Sequence, residues 1–319
     1  MTLVVDRTAG ALKRLMAFVC FGLVLFAQPW GQAQGADALP FSKIFLITGN
    51  YVVGGVDLAP QTSANGFNTG VIPMSGVPAN ADVLAAFLYW ETISTQVSQV
   101  DGARFRGSPM PVVKASSTPL NPTTAPCWSS GGGSGATYRM TMYRADVLRL
   151  LPEQVDASGN PTGKRLVNDT DLQSHGFAPH SVTLPERNGN QVPSSAGATL
   201  FVVYRDPTQP LTSITVFDGI SVQAPGATTT QPLRGFLQSS TTHVAKMTQV
   251  VGSGAGNSTD RLRFKGSLIA TDPFQASATP SSDRGWSTRT FDVTSLMPGT
   301  DLNDGYGEQV TTAVDHGKT

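Results

Sequence analysis

Charge is scarce in this chain. Asp, Glu, Lys and Arg make up 14% of its 319 residues, against about 25% in an average globular protein. The 22 basic and 22 acidic residues cancel. That balance excludes a binder held on nucleic acid by phosphate neutralisation, and it excludes an acidic solvating tail. Cysteine is nearly absent: Cys20 and Cys127 are the two in the chain. Histidine occurs four times, as His175, His180, His243 and His316, and never at the i, i+4 spacing of a helical zinc pair. There is no Gly-x-Ser-x-Gly elbow. Gly132-Gly133-Ser134-Gly135-Ala136 misses the last glycine, and Gly252-Ser253-Gly254-Ala255-Gly256 lacks the spacing of a dinucleotide loop. Carboxylates are scattered, so no glycosidase pair stands out. Long helical apolar periods are also missing beyond residue 40.

The amino terminus carries what looks like an export signal. Arg7, Lys13 and Arg14 precede an uncharged run of 13 residues, Leu15 to Ala27. A secretory core of about 7–15 apolar residues has this length, whereas a spanning helix needs about 20. Small residues follow at Ala33, Gly35, Ala36 and Ala38, so residues 1–35 are expected to be a cleaved signal peptide. Cys20 follows Val19, a poor context for lipid attachment. Removing residues 1–35 leaves 19 basic and 21 acidic residues and a single cysteine, Cys127, which cannot close an internal disulfide. The expected location is secreted or cell-surface, with no membrane span after cleavage.

What remains reads as all-β. Val83–Trp90 (VLAAFLYW) is a continuous apolar run, expected to be a strand buried on both faces, with a short buried helix as the alternative. Ala198–Tyr204 (ATLFVVY) is the strongest strand, and Thr137–Tyr143 alternates. Asp218-Gly219 between Ile214–Phe217 and Ile220–Val222 predicts a hairpin, as does Asn188-Gly189 after Val182–Leu184. Arg144–Leu151 (RADVLRLL) has about two turns of helical pattern. Short strands separated by Gly, Pro, Ser and Thr predict two tandem β-sandwich (jelly-roll-like) units, 36–230 and 231–319.

An internal repeat is the most informative feature. Ala103-Arg104-Phe105-Arg106-Gly107-Ser108 aligns with Leu262-Arg263-Phe264-Lys265-Gly266-Ser267 at an offset of 159. Each is preceded by an apolar strand (Val83–Trp90; Val244–Val251) and followed by a tryptophan, Trp128 or Trp286. An aromatic-Asp-Val motif then follows, at Tyr143-Arg144-Ala145-Asp146-Val147 and at Phe291-Asp292-Val293. Asp146 and Asp292 are read as structural turn caps. Asp292 precedes the last residue by 27 positions, too few for a counterpart of Ala198–Tyr204, so the second unit is expected to be truncated.

Ligand chemistry has few candidates. Trp128 lies in a Ser/Gly loop (CWSSGGGSG) and is the weak candidate for stacking on a sugar, with Trp90 and Trp286 as further members of a platform. Asp301, Asn303 and Asp304 offer hard oxygens beside Gly305, a weak calcium site without the EF-hand pattern; Asn168-Asp169-Thr170-Asp171 is a second acidic loop. Asn168 and Asn257 head formal glycosylation sequons. No catalytic residue and no cofactor is assigned, calcium being the one possible ligand ion.

Gly49-Asn50-Tyr51-Val52-Val53-Gly54-Gly55-Val56, Ser75-Gly76-Val77-Pro78-Ala79-Asn80-Ala81, Ala86–Trp90, Gly197–Pro207 and Phe217-Asp218-Gly219 together cover most of residues 45–319. They resemble a functionally uncharacterised amino-terminal module of large secreted bacterial surface proteins, which often continue into adhesin-like or acidic calcium-binding repeats. The resemblance implies a β-sandwich and an exported, non-catalytic structural or adhesive role, with a surface glycan or protein as partner and no nucleic acid. It brings no catalytic residues. The alternative from the residues themselves is a secreted carbohydrate-binding or carbohydrate-active β-sandwich protein.

Overall fold

A computed structural model describes residues 38–58, 65–95, 102–120, 138–187, 191–236, 244–254, 259–274, 285–297 and 308–317. The fold is all-β. Its centre is a six-stranded antiparallel sheet in the order β12-β1-β11-β3-β7-β6. These strands are β1 (Phe41–Asp57), β3 (Asp82–Ser94), β6 (Val112–Pro119), β7 (Arg139–Asp146), β11 (Gly197–Arg205) and β12 (Leu211–Phe217). Beside β1 the partner changes: Phe41–Thr48 pairs with β12, and Gly49–Asp57 pairs with β11.

The expected buried run is a strand, β3, and the reason it lacks alternation is that both its faces are covered. Its even positions Ala86, Leu88 and Trp90 join the main core with Ala198, Leu200 and Val202 of β11 and Tyr143 and Ala145 of β7. Trp90 stacks on Tyr143 with ring centroids 5.2 Å apart. Facing them is a second sheet, β2-β10-β4-β5, built from β2 (Phe67–Val71), β10 (Ser181–Pro185), β4 (Arg104–Phe105) and β5 (Ser108–Pro109). It contributes Phe105, Val182 and Leu184. The odd positions of β3 point the other way: Ala85 and Phe87 pack with Val203 and Ile214 and with Phe45, Ile47 and Tyr51 of β1. A short ribbon of β8 (Glu153–Val155) and β9 (Pro161–Arg165) and one six-residue helix, α1 (Asp169–Ser174), lie between β7 and β10 in the chain.

The aligned segments adopt one backbone twice. β15 (Arg261–Phe264) and β16 (Ser267–Thr271) form a hairpin like β4 and β5. The two-residue turns match: Arg106 at φ 51° and Gly107 at 78°, Lys265 at 49° and Gly266 at 78°. That is the mirror-image turn favoured between twisted strands. In each, the preceding arginine donates across the turn, Arg104 Nη1 to the Gly107 carbonyl at 3.0 Å and Arg263 Nη1 to the Gly266 carbonyl at 3.3 Å. In each, the phenylalanine is buried.

The correspondence extends strand by strand. β13 (Thr228–Phe236), β18 (Glu308–Asp315), β15 and β16 form a sheet in the order β13-β18-β15-β16, the counterpart of β2-β10-β4-β5. β14 (Lys246–Gly254) pairs with β17 (Gly285–Asp292) as β3 pairs with β7: Lys246 lies opposite Asp292 where Phe87 lies opposite Asp146. Phe264, Val293 and Val310 form the core between them, with Leu233, Met247 and Phe291 packed against it. Among the described residues, nothing repeats β11, β1 or β12 beside β14.

Two local expectations are corrected. Arg144–Leu151 is not two helical turns: Arg144 and Ala145 are strand residues paired with Tyr89 and Leu88, and only Leu148–Leu150 forms a 3-10 turn. Asp218-Gly219 is not a hairpin: β12 ends at Phe217 and, among the described residues, pairs with β1 alone, and the segment after it is irregular. Asp218 is instead held in the ion cluster described below. The Asn188-Gly189 turn lies outside the described residues.

Open space surrounds the turn glycines, since a Cβ built on Gly107 or Gly266 meets no atom within 4 Å. The cost of a side chain there is therefore backbone strain alone. Gly107→Ala and Gly266→Ala should each lose about 1 kcal/mol, and the Asn variants less, because Asn tolerates positive φ. Urea unfolding midpoints check both.

Candidate functional site

Among the described residues, three groupings of polar and titratable side chains stand as candidates. The first lies on the outer face of the central sheet. Asp218 is 4% exposed at its side chain, and its carboxylate pairs with Lys114 of β6 and Arg144 of β7. Ser42 donates to the same carboxylate at 2.9 Å and Tyr89 at 3.2 Å, and Lys114 also donates to the Asp218 carbonyl at 2.8 Å. Burial pushes this carboxyl up, but the bonds from Lys114 and Ser42 and the charges of Arg144 and Lys114 outweigh it and hold it below the usual carboxylate range. Burial beside Asp218 raises the Tyr89 phenol far above its ordinary value, so it stays a donor. Arg144 also lies 5.3 Å from the centre of the Phe87 ring, as does the Lys43 ammonium. The Asp218 carboxylate is shared among Lys114, Arg144, Ser42 and Tyr89, while Arg144 Nε is buried without a hydrogen-bond partner; the cluster fastens β1, β3, β6, β7 and the end of β12 together.

The second cluster surrounds His180, which is fully buried immediately before β10. Its ring stacks on Phe105 at 5.6 Å. Nε2 lies 2.9 Å from the Val167 carbonyl, which can only accept, so Nε2 carries the proton. Nδ1 is then the acceptor, 3.4 Å from Arg106 Nη1. Burial lowers this histidine to about 4, and the Arg106 charge adds to the shift against the Val167 bond and Asp169. Held neutral with both nitrogens engaged, it joins the first repeat's turn to β10 and is not a free base.

The third is the seam between the two repeats. β17 crosses β1 and β11, and Trp286 Nε1 donates to Thr199 Oγ1 at 2.8 Å. Thr199 shares its hydroxyl with Thr288, and the Tyr51 hydroxyl lies 3.0 Å from that of Thr248. Lys246 donates to the Tyr51 carbonyl at 2.8 Å with its ammonium 4.1 Å from the centre of the Tyr51 ring. The approach is close enough that a Cβ on Gly55 would sit 2.4 Å from the Thr288 hydroxyl.

Trp90 and Trp286 are buried, at 0% and 4%, so neither offers a face to a sugar. Asp146 Oδ1 accepts from the Leu148 N–H at 3.1 Å, and Asp292 Oδ1 accepts from the Thr294 N–H at 2.9 Å. The following Val147 and Val293 N–H groups bond back to Ala86 and Ala245, again in register. In the acidic loop, Asn168 Nδ2 donates to the Val77 carbonyl and to Asp171, and Asp169 Oδ2 accepts from the Met74 N–H at 3.1 Å. Trp128, Asp301, Asn303 and Asp304 lie outside the described residues, as do Cys127, Asn257 and residues 1–35. Among the described residues no three His, Cys, Asp or Glu side chains are grouped to share a metal ion, and no helix is long and apolar enough to cross a membrane. The Asp218 and His180 clusters escaped sequence reasoning. Their members are up to 176 and 74 residues apart in the chain, and no local motif marks them.

Removing Asp218 leaves two cations facing each other in a largely buried place. Asp218→Ala should cost about 3–5 kcal/mol. Lys114→Met should cost much less, because Lys114 is 27% exposed and Arg144 still neutralises the carboxylate. Chemical denaturation of the two variants tests the ranking.

His180 gives a pH dependence of known sign. Its folded pKa, about 4, lies below the ordinary 6.5, so between those values the unfolded chain binds a proton that the folded chain refuses. Stability should fall as pH falls from 6.5 towards 4, by up to about 3 kcal/mol. His180→Gln should flatten that slope in denaturation curves recorded across the window.

No protein-family model, no curated protein and no solved structure matches this chain.

Proposed function

We propose that the chain is an exported, non-catalytic module of the cell surface or extracellular space, with a structural or adhesive role. The observation that supports this reading best is how the ionisable side chains are used. Asp218, Arg144 and Lys114 neutralise one another, His180 is kept neutral with both nitrogens bonded, and Asp146 and Asp292 bond the backbone of their own turns. A catalytic group needs a free face; Asp218 and His180 are buried and bonded to their neighbours, and Asp146 and Asp292, although exposed, are bonded to their own turns. The apolar run at Leu15–Ala27, flanked by Arg14 and by small residues, supports export. Low charge and Thr-rich strands suit a stable extracellular β-sheet framework more than an acid–base site. On this reading the two repeats are sandwich-like units that share a seam at Trp286 and Thr199.

The rival is a carbohydrate-binding or carbohydrate-active sandwich using Trp128. Expression of the full chain in its host, followed by surface proteolysis and fractionation, should find the mature protein outside the cytoplasm without residues 1–35. A glycan array should show no binding that Trp128→Ala abolishes. Retention of the full-length chain in the cytoplasm overturns the export reading, and Trp128-dependent sugar binding overturns the structural one. Chelator should leave the melting temperature unmoved, since an ion bound only by the folded state would raise it.

A further inference from the structure

The repeat provides an internal comparison for His180. The Arg106 N–H bonds to the Ser181 carbonyl at 2.8 Å, and the Lys265 N–H bonds to the Thr311 carbonyl at 2.8 Å. These matching bonds place Thr311 on Ser181, and therefore Val310 on His180. The neighbours agree. His180 accepts at its carbonyl from the Ile72 N–H, just past β2, and Val310 lies opposite Leu233 of β13. The His180 ring stacks on Phe105, and Val310 packs with Phe264, the equivalent phenylalanine. Both residues are buried, at 0% and 3%. The fold thus accepts a plain aliphatic side chain at this place, and the first repeat sets a titratable ring there instead.

The surroundings make protonation of that ring disruptive on geometric grounds. Nε2 already gives its proton to the Val167 carbonyl, so an added proton must go on Nδ1. Nδ1 faces Arg106 Nη1 at 3.4 Å, and a guanidinium has no lone pair to accept it. Donor would meet donor, and cation would meet cation. Among the described residues, the charged groups acting on the ring are Arg106, from the β4–β5 turn, and Asp169, from α1; the segment beside β2 presents Ile72. Asp169 favours the imidazolium less than Arg106 opposes it, and its Oδ2 is taken by the Met74 N–H. The same Arg106 holds the hairpin down, since its Nη1 also donates to the Ala178 carbonyl at 2.7 Å. Beyond these contacts the hairpin pairs with β10 through two residue pairs, Val182 with Phe105 and Thr183 with Arg104.

We propose that His180 is an acid-sensitive latch: its protonation frees the β4–β5 hairpin from β10 while the central sheet stays folded, whereas the second hairpin, held by Val310 in the same place, does not respond. Opening uncovers Phe105 and the edge of β10, an apolar surface hidden at neutral pH and shown in acid. The sign follows from linkage. The latched ring titrates at about 4 and a freed one near 6.5, so the open form binds the proton more tightly and gains population as pH falls through that window. Between pH 7 and pH 5 the open-to-closed ratio rises by at least about tenfold. Local opening of this kind needs less free energy than global unfolding, because it breaks few contacts. The proposal does not depend on export or on an adhesive role.

The test is residue-resolved hydrogen exchange on the full chain at pH 7 and pH 5, expressed as protection factors so that the intrinsic pH dependence of exchange drops out. The Arg106 and Lys265 amides make equivalent bonds in the two hairpins and serve as the paired probes. Protection of Arg106 should fall at least about tenfold between the two pH values, while Lys265 and the amides of β11 keep theirs. In His180→Val, which copies the second repeat, Arg106 should keep its protection at both pH values. Four results overturn the proposal: no loss at Arg106 in the wild-type chain; an equal loss at Lys265; an equal loss throughout β11, which would mean global unfolding; or an undiminished loss at Arg106 in His180→Val. If that variant does not fold, the first three results still decide, since they are read from the wild-type chain alone.

Discussion

A β-sheet covered on both faces has no solvent side on which to leave a charge, and the rest of this molecule follows from that constraint. β3 and β11 lie in the middle of the central sheet, between the main core and the cluster around Phe87 and Val203. Their side chains are almost continuously apolar because neither face is wet. Where the outer face does meet charge, at Arg144 and Lys114, it brings in a matching carboxylate from the far end of β12. Asp218 follows a strand that pairs with the first half of β1, so the ion cluster ties the folded-over end of β1 to the sheet it covers. Burying charges is costly, and the geometry compensates by giving the carboxylate four side-chain donors, from Lys114, Arg144, Ser42 and Tyr89. Such a cluster fixes where elements sit more than it adds net stability.

The repeat shows how little sequence is needed to rebuild a frame. Between the two hairpins the shared residues are few: an arginine, a buried phenylalanine, a glycine at positive φ and a serine. Each has a distinct physical task, and together they set the turn, the strand register and the anchoring of the hairpin in a core. The aspartate two residues before the start of each 3-10 turn does the same for the opposite sheet, since its carboxylate holds a backbone N–H while the next residue bonds back to the neighbouring strand. The remaining positions have diverged: β3 presents Leu88 and Trp90 to its core, and β14 presents Met247 and Gln249 at those places.

What was legible in the sequence divides along the same line. Strands buried on both faces advertise themselves by uninterrupted apolar runs, so β3 and β11 could be read directly. The repeat was legible because a two-residue turn at positive φ demands particular residues at fixed spacing. The hairpin expected at Asp218-Gly219 failed because Asp-Gly is a turn signal only where no stronger partner claims the aspartate; Lys114 and Arg144 claim it, and both are far away in the chain. Arg144–Leu151 misled for a related reason. Helical spacing of Ala145, Leu148 and Leu151 arises when a strand that faces a core ends in a short turn that faces the same core. The His180 cluster left no trace, since the ring partner and charge, Phe105 and Arg106 of one hairpin, and the acceptor, the Val167 carbonyl, lie far from His180 or from each other in the chain.

The seam between the repeats explains why β14 and β17 persist as a pair. Two strands alone are marginal in water, because one ladder of hydrogen bonds and one small face cannot offset the entropy of ordering them. Here the pair is held from both sides. One face carries Met247 and Phe291 into the core of the β13-β18-β15-β16 sheet, and the other sets Trp286, Thr288 and Thr248 against β11 and β1. The second contact needs glycine at 55 and 197, because a Cβ at either would collide with β17 side chains, Thr288 at the first and Trp286 at the second. Two small residues on one repeat thus admit a bulky indole and a threonine from the other. The consequence is directional: the second repeat leans on the first for support that a fuller sheet would give it, while the first is covered on its main core by its own strands. Loss of packing at Trp286 should therefore loosen β14, β17 and the sheet above them before it disturbs the Trp90–Tyr143 stack.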